Sequence, residues 1–376
     1  MATPGLPVIF ITGIAGFIGS RIAHDAVAAG YQVMGVDDFS TGFVDNIPVT
    51  CREGSDWKLL DIADRRSIPT LTAFMAEAKR RGGGRVIVVH TACPAYDAQS
   101  HVLMAFVTQG VVVGTAVTLA AAIRVGALRF VHFSSMARYE GVPLLDHHDS
   151  VGYREDDPTG GLSPYGHAKV AAERLVRDSC EKEGMPWTIL VPHNFIGVGQ
   201  QYNNPARNVA AIFLNLALHD RPLFLHGDGE HRRVFTPWQD VAGPVHQMAT
   251  DQNGRFDGLV LNLGPGPEYR MSVRELAGLV VKVTRRLTGR NYGREPQFVT
   301  TESLVAIRTA WCSDERFTEY FGRPPEPDYE QILTDMGQVV LAHEREFDYR
   351  VFDQADLGPE FLDPVYRDHL ISIRAP

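Results

Sequence analysis

The strongest constraint on how this chain folds is an apolar run that breaks into closely spaced glycines and then resumes with helical periodicity. Val8-Ile9-Phe10-Ile11 reads as a buried strand, Thr12-Gly13-Ile14-Ala15-Gly16-Phe17-Ile18-Gly19 as a tight turn, and Phe17 to Ala29 as the helix it opens. Gly13 and Gly16 let the backbone turn sharply and approach a pyrophosphate, and Gly19 permits close helix packing. The helix N-terminus adds N–H groups and positive dipole. A second strand, Gln32 to Val36, ends in Asp37, at the roughly twenty-residue offset where a carboxylate accepts both ribose hydroxyls of NAD. Asp38 and Phe39 follow where a binder of the 2′-phosphate would want arginine, so NAD is favoured over NADP. The expected cofactor contacts are Gly13, Ala15, Gly16, Phe17, Ile18, Gly19, Asp37 and Asp38.

Further along, short apolar runs alternate with helical stretches. Candidate strands are Val8 to Ile11, Gln32 to Val36, Lys58 to Leu60, Val86 to His90, Arg129 to Phe133 and Trp187 to Val191. This alternation predicts an α/β fold, a Rossmann-type doubly wound parallel sheet covered on both faces, with a smaller mixed α/β substrate-binding domain in the second half. Arg81-Gly82-Gly83-Gly84 reads as a bend before the fourth strand. Gly110 to Ile123 is apolar nearly all round and reads as a buried helix, in the core or at a dimer interface.

Composition bounds the function classes. The chain has 376 residues, 44% of them hydrophobic, and a net charge of −9, which argues against a nucleic-acid partner. No long unbroken apolar segment is expected to cross a membrane, and Met1 to Pro7 has neither a basic nor an apolar leader, so the expected compartment is the cytoplasm. Cys51, Cys93, Cys180 and Cys312 lack ligand or disulfide spacing. His147, His148, His193, His219, His226 and His231 follow no zinc pattern, and no metal is expected.

Catalytic chemistry is carried by Tyr165-Gly-His-Ala-Lys169, with Ser135 upstream. On a helix beginning near Pro164, positions i and i+4 share a face, which brings Lys169 beside Tyr165. A phenol ionises near about pH 10, and a cation within about 4–6 Å favours the phenolate. Ser135 can donate to or accept from the same substrate oxygen.

Read in order, TGIAGFIG, VDDFSTG, LDIAD, VVHTA, FVHFSS, SPYGHAKVAAE, VPHNFIG, HGDGEHRRVF and the late Ala-Ile-Arg308 segment resemble the extended short-chain dehydrogenase/reductase family over roughly residues 7 to 340. The pattern is most similar to its NAD-dependent nucleotide-sugar epimerases and dehydratases, in particular UDP-glucose 4-epimerase-like members. The resemblance implies that Asp61 and Ile62 border the adenine, that His90 to Cys93, including Thr91 and Ala92, form a loop beside the cofactor, and that Tyr165 and Lys169 carry catalysis. It implies that Asn194, Asn208, Arg233 and Arg308 meet the diphosphate side of a nucleotide sugar, and a cytosolic homodimer packed through a helix bundle. The implied division is residues 1–191 with about 234–264 for NAD, about 192–233 with 265–340 for the nucleotide sugar, and a C-terminal extension over 341–376.

Departures from the family pattern bear on the substrate. Sugar 4,6-dehydratases typically place an Asp-Glu pair after the catalytic hydroxyl residue, whereas this chain has Met136-Ala137, which exchange no proton. Val191, Val234, Ser313, Val111 and Glu140 replace a frequent arginine, aspartate, aspartate, asparagine and glycine. Ala310 stands where some glucose-restricted epimerases carry tyrosine and leaves room for a 2-acetamido group. The expected reaction is inversion at C4 of a UDP-sugar, a hexose or N-acetylhexosamine, through a transient 4-keto sugar that turns over and is reduced on its other face. The alternatives are another 4-keto-forming enzyme (a reductase, decarboxylase or unusual dehydratase) and a non-catalytic dinucleotide sensor.

Overall fold

Strand β1 (Val8–Thr12) sends Val8 and Phe10 to one face of the sheet and Ile9 and Ile11 to the other, and all four are fully buried. A strand covered on both faces has no reason to alternate with polar residues, which is why it reads as an unbroken apolar run. Strands β2 (Val33–Asp37) and β4 (Val86–His90) are apolar up to their last residue, and β5 (Arg129–Phe133) is equally buried although Arg129 and His132 interrupt its run. With β3 (Trp57–Leu59), β6 (Trp187–Pro192) and a seventh strand, β11, they form one parallel sheet in the order β11-β6-β5-β4-β1-β2-β3. The structure is a computed structural model that describes residues 5–143, 145, 148, 150–204, 207–293, 297–299 and 309–343.

Between β6 and the end of the described chain lie β7 (Phe195–Ile196), β8 (Phe224–His226), β9 (Arg232–Arg233), β10 (Thr236–Pro237), β11 (Leu259–Leu263), β12 (Met271–Ser272), β13 (Gln297–Val299) and β14 (Thr309–Ala310). The six expected strands stand within a residue or so of their predicted ends, and β11 was not among them. Its run is interrupted by Asn262, fully buried, whose amide oxygen accepts from the Tyr139 hydroxyl at 3.1 Å.

One face of the sheet carries α2 (Ile68–Arg81), α4 (Gly114–Val125) and α5 (Pro164–Glu183), and the other carries α1 (Phe17–Ala28) and α7 (Trp238–Ala249). The stretch expected as one buried helix, Gly110 to Ile123, is a widened turn at Gln109–Val113 followed by α4, and α3 (Met104–Thr108) runs into it. Contrary to the expectation of no such segment, Met104–Val125 is long and apolar enough to cross a membrane by length and composition alone. Here half of its apolar window is buried, and it packs on α2 and α5. A separate apolar core joins α6 (Val209–Leu218), α8 (Val273–Thr288) and α10 (Tyr329–His343). With α9 (Glu315–Phe321) lying against β11, these elements complete the described chain.

Helix α5 starts where it does because the Ser163 side chain accepts the Gly166 N–H and Pro164 presets the first helical φ. It stops at Gly184, in the left-handed region. Deep in α5, Glu173 pairs with Arg138 at 3.1 Å, both nearly solvent-free, and also accepts from Ser134. This pair ties α5 to the loop bearing Ser135. Removing one partner of a buried pair leaves an uncompensated charge. Glu173→Ala is therefore expected to cost about 3–5 kcal/mol, read as a shifted urea midpoint, and an unshifted midpoint would contradict it.

Candidate functional site

In a doubly wound sheet the ligand crevice opens at the C-terminal strand ends where the strand order reverses, here around β1 and β4. A cavity of about 990 Å³ lies at these ends. Gly13, Gly16, Phe17, Ile18, Gly19, Asp37, Asp38, Asp61, Ile62, Thr91 and Ala92 all line it, and Ala15 joins through its backbone N–H, which donates to Asp37 at 2.8 Å.

The glycine turn is a cradle that side chains would fill. A Cβ on Gly19 would sit 2.1 Å from the Gly13 carbonyl oxygen, and one on Gly13, which has φ +78°, would sit 2.8 Å from the Ala92 backbone. The two Asp37 oxygens each accept one backbone N–H, from Phe39 and Ala15, and keep lone pairs for further donors. These residues fit a dinucleotide with a ribose at Asp37.

Burial raises the Asp37 carboxyl to about 6, against the pull of its backbone donors. Hydroxyls donate well only to the ionised form, so NAD affinity of cofactor-stripped protein should fall as pH drops through 6, by up to about tenfold per unit. A titration of NAD binding from pH 7.5 to 5 checks this, and a flat profile would contradict it.

Ser135, Tyr165 and Lys169 converge on the same cavity. Ser135 caps a one-turn helix, accepting from the Ala137 N–H at 3.2 Å. Tyr165 is nearly buried, and its phenol is close enough to Cys93 and Ser135 to feel both electrostatically. The Lys169 ammonium lies 5.7 Å from the centre of the Tyr165 ring and donates to the Phe133 carbonyl at 2.8 Å. The expectation that Lys169 draws the phenol towards working pH is corrected in this structure. Burial and the neighbouring Cys93 push it well above its ordinary value, and the Ser135 hydroxyl opposes them only in part.

Of the loop expected beside the cofactor, Thr91, Ala92 and Cys93 face the cavity but His90 does not. Its ring lies in the core between the hydroxyls of Thr12 at 2.7 Å and Thr115 at 3.0 Å, and burial drives it to about 3.

Of the other expected substrate residues, Asn194, Asn208, Arg233 and Ala310 also line the cavity wall. Asn194 has φ +43° at the end of β6, and its side chain donates to the Val234 carbonyl at 3.0 Å. Asn208 caps α6. Arg233 donates to the Arg232 carbonyl at 2.8 Å, and Ala310 lies beside it on the paired strand β14. Arg308 lies outside the described residues, as do residues 344–376 of the C-terminal extension.

Two acidic residues stand on this wall that the motifs did not assign. Asp97, from the loop after β4, accepts from Ser163, and Glu140 follows the helical turn that Ser135 caps. Burial raises Glu140 to about 7, with Asp97 adding to the rise and Arg233 opposing it. Glu140 was visible as a departure from glycine, whereas Asp97 carried no motif signal.

The family model for the NAD dependent epimerase/dehydratase family matches residues 9–264. The chain belongs to that family. Its cofactor is NAD. It is 30% identical over 269 residues to a UDP-glucose 4-epimerase of Mycolicibacterium smegmatis, covering 71% of this chain and 79% of that protein. It is 28% identical over 276 residues to UDP-glucuronic acid decarboxylase 1 of Arabidopsis thaliana, covering 73% of this chain and 58% of that protein. The structure of UDP-glucose 4-epimerase from Thermotoga maritima with UDP-glucose superposes with a TM-score of 0.76 at 24% identity, covering 90% of this chain and all of that one. At that identity the likeness speaks for the fold.

Proposed function

We propose that this chain is an NAD-dependent epimerase that inverts C4 of a UDP-sugar. The observation that carries the reading is the convergence of Ser135, Tyr165 and Lys169 on the dinucleotide cavity, with Met136 and Ala137 in place of an acid–base pair. When bound, NAD would supply the hydride acceptor and donor. Tyr165 takes the C4 hydroxyl proton and later returns it, and Lys169 adds its charge to favour the phenolate. Ser135 steadies the oxygen. Arg233, Asn194 and Asn208 hold the diphosphate side, because two phosphates are best met by guanidinium and amide donors. Keeping the sugar ring in reach of Tyr165 through both half-reactions can account for roughly 7–11 kcal/mol of the barrier.

A second reading draws on Asp97 and Glu140, which do carry exchangeable protons on the same wall. Another 4-keto-forming enzyme would use such groups and release a keto or unsaturated product. Product analysis without added cofactor separates the two.

The nearly buried Ala310 leaves room beside the sugar, which supports tolerance of a 2-acetamido group. Ala310→Tyr is expected to lower N-acetylhexosamine turnover relative to hexose at least about tenfold, the scale of a lost fit in a binding pocket. An unchanged kcat/KM ratio would contradict it.

A further inference from the structure

The Tyr165 end of the cavity has an uneven charge balance. Asp97, Glu140 and Arg233 all line the cavity, and neither carboxylate forms an ion pair with a described residue; Arg233 acts on both only through space. Tyr153 faces both Glu140 and Arg233, and His101 acts on Asp97. His193 stands on the same wall, 3% exposed, its Nδ1 without a hydrogen-bond partner among the described residues. Burial and the adjacent Arg233 drive it to about 3, so it brings no positive charge at neutral pH.

The other cations on the cavity wall are committed. Lys169 donates to the Phe133 carbonyl. Arg207 bonds Gln201 at 3.2 Å and stacks on Tyr96. Arg233 offsets both carboxylates only through space, and any share it gives to a diphosphate leaves them less compensated.

We propose that the Asp97–Arg233–Glu140 cluster makes this cavity discriminate against nucleotide sugars that carry a carboxylate, the uronic acids, in favour of sugars bearing hydroxyl or acetamido groups. The inference rests on the cavity being a nucleotide-sugar site, as proposed above. A uronate would bring a third carboxylate beside Asp97 and Glu140, which have no ion-pair partner among the described residues, in a half-buried setting where like charges are poorly screened. A hydroxyl meets a donor in protonated Glu140 and acceptors in either carboxylate. The direction with pH follows from Glu140, which loses its proton as pH rises through about 7, so discrimination grows above that pH and weakens below it.

The test is calorimetric binding of UDP-glucose and UDP-glucuronic acid to NAD-loaded protein at pH 6 and pH 8, with Glu140→Gln and Asp97→Asn alongside. The diphosphate is common to both ligands and cancels in the ratio of their affinities. The expected result is at least a tenfold preference for UDP-glucose at pH 8, several-fold smaller at pH 6 and in either variant. Equal affinities at pH 8, or a preference insensitive to pH and to both substitutions, would overturn the inference while leaving the nucleotide-sugar reading intact. Binding of neither ligand would overturn that reading and this inference with it.

Discussion

Tyr165→Phe is expected to lower C4 epimerisation by about 10²–10⁴-fold, the range a positioned acid–base group contributes, while the protein retains its NAD. The phenyl ring fills the same nearly buried space, so packing is kept and only the hydroxyl that meets Ser135 and Cys93 is lost. Burial holds this phenol well above its ordinary value, so ionisation is the hard part of its work. Lys169→Met should therefore also depress the rate, most severely at low pH, where the phenolate is scarcest. Full activity in Tyr165→Phe, measured as product formed per bound NAD, would remove Tyr165 from the mechanism.

The second large effect is expected at the glycine cradle. Gly19→Ala places a Cβ 2.1 Å from the Gly13 carbonyl oxygen and 2.8 Å from the Thr91 hydroxyl, closer than any neighbour tolerates. Helix α1 then has to move away from the turn whose N–H groups face the pyrophosphate. We expect at least a tenfold loss of bound NAD, with about 1–3 kcal/mol of destabilisation from overpacking. Gly243→Ala is the control. Gly243 is exposed in α7 with nothing within 4 Å of its missing Cβ, so alanine there should keep NAD and add up to about 1 kcal/mol of helix stability. NAD content by chromatography of the denatured proteins reads both. Normal occupancy in Gly19→Ala would contradict the cradle.

What the chain discloses directly is what depends on spacing within a few residues. The turn from Thr12 to Gly19, the carboxylate at Asp37 and the i, i+4 pair Tyr165 and Lys169 are local patterns, and the structure brings them to one cavity. Asp97 is on that cavity because the loop after β4 reaches the N-terminus of α5 and accepts from Ser163, a contact 66 residues apart in sequence. Glu140 was noticed as a missing glycine, but its neighbours Asp97 and Arg233 come from distant segments. The ionisation of Tyr165 was misjudged for the same reason: spacing shows Lys169 nearby and says nothing of the burial that outweighs it. Strand β11 escaped because Asn262 interrupts its apolar run and is satisfied by Tyr139 and Tyr153 from another loop.

A closed redox cycle on a UDP-sugar can be followed by proton NMR of the purified protein. UDP-glucose and UDP-N-acetylglucosamine are supplied with no added cofactor. The expected result is conversion of at least one to its C4 epimer, with no keto sugar accumulating. Accumulation of a keto or unsaturated sugar, or turnover that requires added NADH, would contradict it.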